Sequence, residues 1–204
     1  MRSLVPSPAA GNCRTFAARR VTIRLGRGPR LPRATRGGSV AAMSPRYPYK
    51  ILILCTSNSA RSILGEYILR AKGAGRFETF SAGSHPTGRV NPLAVRVLRE
   101  RYGHDASAAR SKSWGEFKSV RFDLVITVCG HASDACPIWL GGGVRAHWGS
   151  PDPAAVEGAD EDKLRAFTEV ALQIERRAEA LCDLAEAQLH DAVAVGRIGE
   201  MFAA

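Results

Sequence analysis

Ile51-Leu52-Ile53-Leu54-Cys55-Thr56-Ser57-Asn58-Ser59-Ala60-Arg61-Ser62 is the stretch on which the fold turns. Its four leading apolar residues predict a short strand buried on both faces. A thiol, a run of small residues, an arginine and a hydroxyl follow. From about Ser62 to Lys72 the spacing becomes helical, with Ile63, Leu64, Tyr67, Ile68 and Ala71 on one side. A strand-to-helix turn of this make-up predicts a seat for a tetrahedral oxyanion. The N–H groups and dipole at a helix start favour negative charge. Small side chains let the backbone curl into a nest of donors, and a guanidinium can fork onto two oxygens. Thr56, Ser57, Asn58, Ser59, Ala60, Arg61 and Ser62 are therefore the expected oxyanion binders. Cys55 lies in the same field, and helix N-termini and nearby cations lower cysteine pKa values to roughly 3.5–7.5. The stretch predicts a nucleophilic thiolate beneath a bound oxyanion.

Further along the chain, strands and helices alternate. Gly73 and Gly75 are expected to stop the first helix. Phe77–Ser81 reads as a second strand, closed by Ala82-Gly83. Asn91 caps a helix that has Pro92 at its first position and Leu93, Val97 and Leu98 on its buried face. Arg110–Lys118 is polar, anchored by Trp114 and Phe117. Asp123–Cys129 contains the clearest β run, and Val144–Trp148 makes a short fourth strand. Gly149–Gly158 reads as a loop. Asp160 is the expected cap of a long helix with Leu164, Phe167, Ala171, Ile174, Ala178 and Leu181 in one stripe. From Leu189 the pattern is weak and is left unassigned. The alternation predicts a single α/β domain over residues 49–188: a four-stranded parallel sheet with helices on both faces. Ligands of such sheets bind beyond the carboxyl ends of the strands. Cys55 and Cys129 both stand at such ends, so they can be neighbours in space.

The net charge of +10 invites a nucleic-acid reading, but it is localised. Eleven of the 29 basic residues and none of the 19 acidic ones fall within residues 1–50. The remainder is almost neutral, which argues against a nucleic-acid partner for the domain. No run approaches the roughly 20 apolar residues of a membrane span. Residues 1–48 form an Arg-rich leader, disordered by composition, and residues 189–204 a short tail. Three origins compete for residues 1–42: a transit peptide, a nucleic-acid-binding arm, or a translated upstream region with the start at Met43. The last is preferred, because Met43-Ser44-Pro45 stands just ahead of the first strand. Five cysteines are too few for a disulfide scaffold, and no secretory signal is evident. A cytoplasmic setting is expected.

Cys55-x5-Arg61-Ser62 resembles the phosphate-binding loop of low-molecular-weight protein tyrosine phosphatases and of their relatives, the thioredoxin-coupled arsenate reductases. Several further stretches are similar to the reductase branch. They are Ser81-Ala82-Gly83, Ile126-Thr127-Val128-Cys129 followed by Cys136-Pro137, and His147-Trp148-Gly149 leading into Asp152-Pro153. The resemblance spans about residues 49–185. It implies reduction of arsenate to arsenite. Cys55 attacks arsenic, Arg61 steadies the developing charge, and Asp152 protonates the departing oxygen. Cys129 and Cys136 then carry the oxidising equivalents away as disulfides. It implies arsenate as substrate, with phosphate as its analogue. It also implies no tightly bound cofactor and an external reductant: thioredoxin, glutaredoxin or a low-molecular-weight thiol.

The enzymatic alternative is a protein tyrosine phosphatase. Ser62-Ile63 replaces the Ser-Pro usual there, and Asp152-Pro153-Ala154 replaces Asp-Pro-Tyr. Asn58 is expected to prop the loop through its side chain. Glu66 matches a family position linked to a structural potassium ion, although a solvated helix charge is the expected state. Cys182 reads as a packing residue, and Cys13 has no role. His131 and His147 make no zinc-ligand spacing with the cysteines, so no catalytic metal is expected.

Overall fold

The computed structural model describes residues 48–129 and 141–202. The leader, Cys13, His131 and Cys136 lie outside the described residues. Strands β1 (Tyr49–Cys55), β2 (Phe77–Gly83), β3 (Leu124–Thr127) and β4 (Val144–His147) form one parallel sheet in the order β2-β1-β3-β4. The expected sheet is thus found, with β1 in its interior. Ile51, Leu52, Ile53 and Leu54 are each at most 1% exposed. That burial explains why the run is continuously apolar instead of alternating.

The pleat divides β1 between two cores. Ile51, Ile53 and Cys55 face the larger one, built with helices α1 (Arg61–Gly73), α2 (Pro92–Tyr102), α3 (Asp160–Asp183) and α4 (Ala192–Met201). Leu52 and Leu54 face a smaller cluster with Val125, Phe80, Phe117 and Phe122. There the three phenylalanine rings meet edge to face at centroid distances of 5.6–5.9 Å, a preferred aromatic geometry. The 3-10 helix Trp114–Phe117 supplies the helical cover on this second face.

Two helix ends differ from expectation. The left-handed residue that ends α1 is Ala74, at φ 43°. Gly73 serves packing instead, since a Cβ there would lie 2.6 Å from the Phe77 ring. The helix α3 begins at Asp160 itself, with Ala159 as an N-cap that makes no side-chain bond. Asp160, Glu161 and Asp162 occupy the first turn, where they oppose the positive end of the helix dipole instead of capping it. In α2, Asn91 caps as expected, accepting from Leu93 N–H at 2.9 Å.

The unassigned tail is part of the folded unit. Leu189, Val195 and Ile198 are buried in the main core. A Cβ on Gly199 would come 2.1 Å from the carbonyl oxygen of His147, so the end of α4 rests directly on the exit of β4. The short spacing between apolar and small residues hid this helix, since glycine at 196 and 199 breaks the apolar pattern.

Candidate active site

The loop after β1 is held by its outward-facing carbonyls. Thr56, Ser57 and Ser59 carbonyls accept from the N–H groups of His85, Thr87 and Asn91 at 2.9, 3.1 and 2.8 Å. In a trans peptide the following N–H points the opposite way, so these three anchors turn N–H groups 57, 58 and 60 inward. That of Asn58 reaches Cys55 Sγ at 3.0 Å. Gly83 makes the anchoring possible. A Cβ there would stand 2.5 Å from the Thr56 carbonyl oxygen. Only glycine lets the end of β2 pass so close, which accounts for the Ser81-Ala82-Gly83 stretch physically.

Asn58 is fully buried with φ 46°, a left-handed conformation that asparagine tolerates better than most residues. Its Nδ2 donates to Ser62 Oγ and Ser81 Oγ, both at 2.9 Å, and its Oδ1 accepts from Lys112 N–H at 2.7 Å. These partners fix the amide orientation. Ser62 accepts from Asn58, which leaves its own hydrogen for Cys55 Sγ at 3.0 Å. Ser81 donates onward to Glu66 Oε2.

Glu66 is not the solvated helix charge expected from the sequence. It is 7% exposed and receives Arg70 on Oε1 at 2.7 Å and Lys112 Nζ on Oε2 at 3.0 Å. Both oxygens are taken by cations of the chain, so this donor set does not fit a bound potassium ion. Lys112 was not legible in the sequence because a lone lysine in a polar stretch carries no pattern. Only the fold brings it to Asn58 and Glu66 together.

Cys55 is 4% exposed. Burial pushes its thiol pKa up. The Ser62 hydroxyl and the Asn58 N–H pull it down, neighbouring Cys129 raises it, and Arg61 lowers it. The net direction is upward, against the expectation of a preformed thiolate. The sequence showed the donors but not the depth of burial, and desolvation disfavours the charged form.

Arg61 is engaged by the loop that follows β4. It donates to the Ser150 carbonyl at 3.0 Å and pairs with Asp152 at 3.0 Å. Asp152 also caps the turn Pro153–Ala155, accepting from Ala154 N–H at 3.1 Å. Its carboxyl is about half exposed and open to solvent, while the Arg61 side chain is largely covered.

Cys129 lies just past the end of β3. Val128 N–H donates to the Leu54 carbonyl at 2.9 Å, which sets Cys129 beside the Cys55 loop. Its Sγ is 3.8 Å from Thr56 Oγ1. Both cysteines are thiols, and both are buried. Cys55, Arg61, Cys129 and Asp152 thus gather at the carboxyl edge of the sheet; Cys136 is outside the described residues. Cys182 is half-buried against the main core. The ring of His147 meets Thr127 Oγ1 through Nδ1 at 2.8 Å. Among the described residues no cluster of His, Cys, Asp or Glu could hold a metal ion, and no helix is long and apolar enough to cross a membrane.

A model of the low molecular weight phosphotyrosine protein phosphatase family matches residues 50–194. The chain belongs to this family. Its relatives there include the arsenate reductase of Halalkalibacterium halodurans, 38% identical over 133 residues, which covers 65% of this chain and 94% of that protein. The glutaredoxin arsenate reductase of Synechocystis is 30% identical over 132 residues, covering 65% of this chain and 95% of that one. A solved arsenate reductase in its phosphate-binding state superposes with a TM-score of 0.53 at 28% identity, covering 66% and 96% of the two chains. The family expected from the Cys-x5-Arg loop and the distant motifs is therefore the one found.

Proposed function

We propose that this protein reduces arsenate to arsenite, using Cys55 as nucleophile and Cys129 and Cys136 as a thiol relay. The observation that carries the reading is the second buried thiol, Cys129, set against the wall of the oxyanion loop through Thr56. Phosphate-ester hydrolysis gives a thiol at that position nothing to do. The arsenate reductases among the relatives, nearly all of whose length the chain covers, support the same choice.

Arsenate occupies the loop, with inward N–H groups and Arg61 on its oxygens. Cys55 sulfur bonds to arsenic, and one oxygen leaves as water after protonation from Asp152. Cys129 thiolate then attacks Cys55 Sγ. The sulfur–arsenic bond breaks with its electron pair passing to arsenic, which departs as arsenite. The Cys55–Cys129 disulfide is opened by Cys136, which regenerates the Cys55 thiolate and leaves a Cys129–Cys136 disulfide. An external dithiol or monothiol reductant returns that pair to thiols. No tightly bound cofactor is required, and a reducing compartment such as the cytoplasm suits the cycle.

The test is arsenate-dependent NADPH oxidation with thioredoxin and its reductase, and in parallel with glutaredoxin and glutathione. Turnover is expected in the native protein and is expected to collapse to at most one event per chain in Cys129→Ser. Retained multiple turnover in that variant would overturn the relay. No arsenite with any donor, alongside brisk aryl-phosphate hydrolysis, would favour the phosphatase reading, to which the family match lends its weight.

A further inference from the structure

A second arginine stands behind the first. Arg177 lies on α3 within the apolar stripe, between Ile174 and Ala178, and is 0% exposed. Among the described residues, none of its hydrogen-bond partners is a carboxylate. Its Nη1 donates to the Trp148 carbonyl at 2.9 Å and to Ser150 Oγ at 2.8 Å. Its Nη2 donates to the carbonyls of Gly149 at 3.0 Å, Gly199 at 3.2 Å and Phe202 at 3.1 Å. Gly199 and Phe202 belong to the C-terminal end of α4, the negative end of its dipole. A buried cation is favoured there, where the last carbonyls of a helix have no intrahelical donor; that of Phe202 also accepts from Gln173 Nε2 at 2.7 Å.

The other three acceptors belong to the segment that holds Arg61. Successive carbonyls 148 and 149 go to Arg177, while carbonyl 150 and the Asp152 carboxylate go to Arg61. The segment is strapped between two guanidinium groups. Independent contacts lock the same base: Trp148 Nε1 donates to the Val195 carbonyl at 3.2 Å, and Gly199 leaves no room for a side chain against His147.

We infer that Arg177 is a positioning residue of the active site: it fixes the 148–152 segment, and through the Ser150 carbonyl it fixes the Arg61 guanidinium that binds the oxyanion, which makes α4 a part of the catalytic apparatus. The inference rests on the reading of Arg61 as the oxyanion ligand; it does not require that the oxyanion be reduced. A hydrophobic residue in its place would fill the stripe but would take the guanidinium donor from five acceptors, of which the Phe202 carbonyl alone would keep a side-chain donor, Gln173 Nε2 at 2.7 Å. A lysine would supply a point charge without the planar fork that spans both segments.

The test reads inorganic phosphate binding through Cys55. Phosphate in the loop shields Cys55 from iodoacetamide, and peptide mass mapping separates Cys55 from the other cysteines. Arg177→Gln is expected to weaken protection about tenfold, the scale of one lost bond to a charged group. In an Arg61→Gln background the same change is expected to cost less than about twofold, because coupled residues do not add. Arg177→Lys should fall between Arg177→Gln and the native protein. If the Arg177 variants do not fold, Ser150→Ala, which removes only the hydroxyl acceptor, is expected to weaken protection by about threefold. Equal losses in the two Arg61 backgrounds would overturn the inference, as would unchanged protection in a folded Arg177→Gln, or in Ser150→Ala where that variant has to decide. Undisturbed coupling in a protein that makes no arsenite would refute the reductase reading alone.

Discussion

Replacing Ser62 by alanine should slow the chemistry of Cys55 by an amount that the hydrogen-bond polarity sets. Asn58 Nδ2 donates to Ser62 Oγ, which leaves the serine hydrogen available to a Cys55 thiolate at 3.0 Å. This bond is a leading influence lowering the thiol pKa against the upward push of burial. A hydrogen bond to a charged group is worth about 1.5–3 kcal/mol, and each 1.4 kcal/mol is roughly a factor of ten in the equilibrium. Alanine should therefore cut the thiolate fraction at neutral pH about ten- to a hundredfold. The rate falls less steeply, because a more basic thiolate is a better nucleophile. With a Brønsted coefficient of about 0.4–0.5, each tenfold loss of thiolate returns roughly threefold in reactivity. The net expectation is a fall of about three- to tenfold in the second-order rate of Cys55 carboxymethylation near pH 7. The assay is iodoacetamide labelling followed by peptide mapping, read against Cys182 in the same sample. An unchanged or faster rate at Cys55 would refute the assigned polarity, and with it the role of Asn58 as the group that aims the serine.

Lys112→Met removes one of two cations from a carboxylate whose side chain is 10% exposed. Arg70 remains, so the loss is expected near about 2 kcal/mol, below the range for stripping a buried pair completely. At 2–4 °C per kcal/mol for a domain of this size, the melting temperature should fall by roughly 4–8 °C. The native protein is expected to melt identically in sodium and potassium salts, since its own ammonium group already sits on Glu66; a potassium-specific gain of several degrees by calorimetry would contradict that. The raised Cys55 pKa has a consequence for alkaline stability. The folded chain binds this proton more tightly than the unfolded one. The resulting stability is full below the ordinary thiol value of 9.0 and is lost as pH rises through the folded value. Urea midpoints should therefore drop less steeply above pH 9 in Cys55→Ala than in the native protein. Gly83→Ala would force a Cβ to 2.5 Å from the Thr56 carbonyl. It is expected to abolish phosphate protection of Cys55 at concentrations that saturate the native loop.

How much of this was readable from the residues differs by element. β1 was legible because a strand buried on both faces writes itself as a continuous apolar run, and the loop because its small residues and arginine leave little else to build. The neighbourhood of Cys55 and Cys129 followed from the rule that parallel strands end on one edge. Besides the last helix, three features around the site were hidden. The upward pKa of Cys55 depends on burial that the donors alone do not express. Lys112 acts only through a long-range meeting with Glu66 and Asn58. Arg177 left one trace, a cation on the same helical face as Ile174 and Ala178, but an arginine there also suits a stripe whose edge meets solvent. Its meaning required the carbonyls of two distant segments, and no local pattern announces carbonyls.

The resting arrangement also constrains how Asp152 can act. A carboxylate bonded to Arg61 at 3.0 Å accepts; to protonate a leaving oxygen it must first be released and gain a proton. An oxyanion entering the loop brings a stronger claim on the guanidinium, since two of its oxygens can meet the fork together. Substrate binding would thus disengage the acid, while the Ser150 carbonyl keeps Arg61 within reach. The half-exposed position of Asp152 allows the proton to come from solvent or from the oxyanion itself. A crystal structure with phosphate in the loop is expected to show Arg61 forked onto the anion, its bond to Ser150 retained, and the Arg61–Asp152 contact opened beyond hydrogen-bonding distance. A phosphate-filled loop with that contact still at its resting length would show that Asp152 serves as a permanent anchor for Arg61, and the proton for the leaving oxygen would have to come from elsewhere.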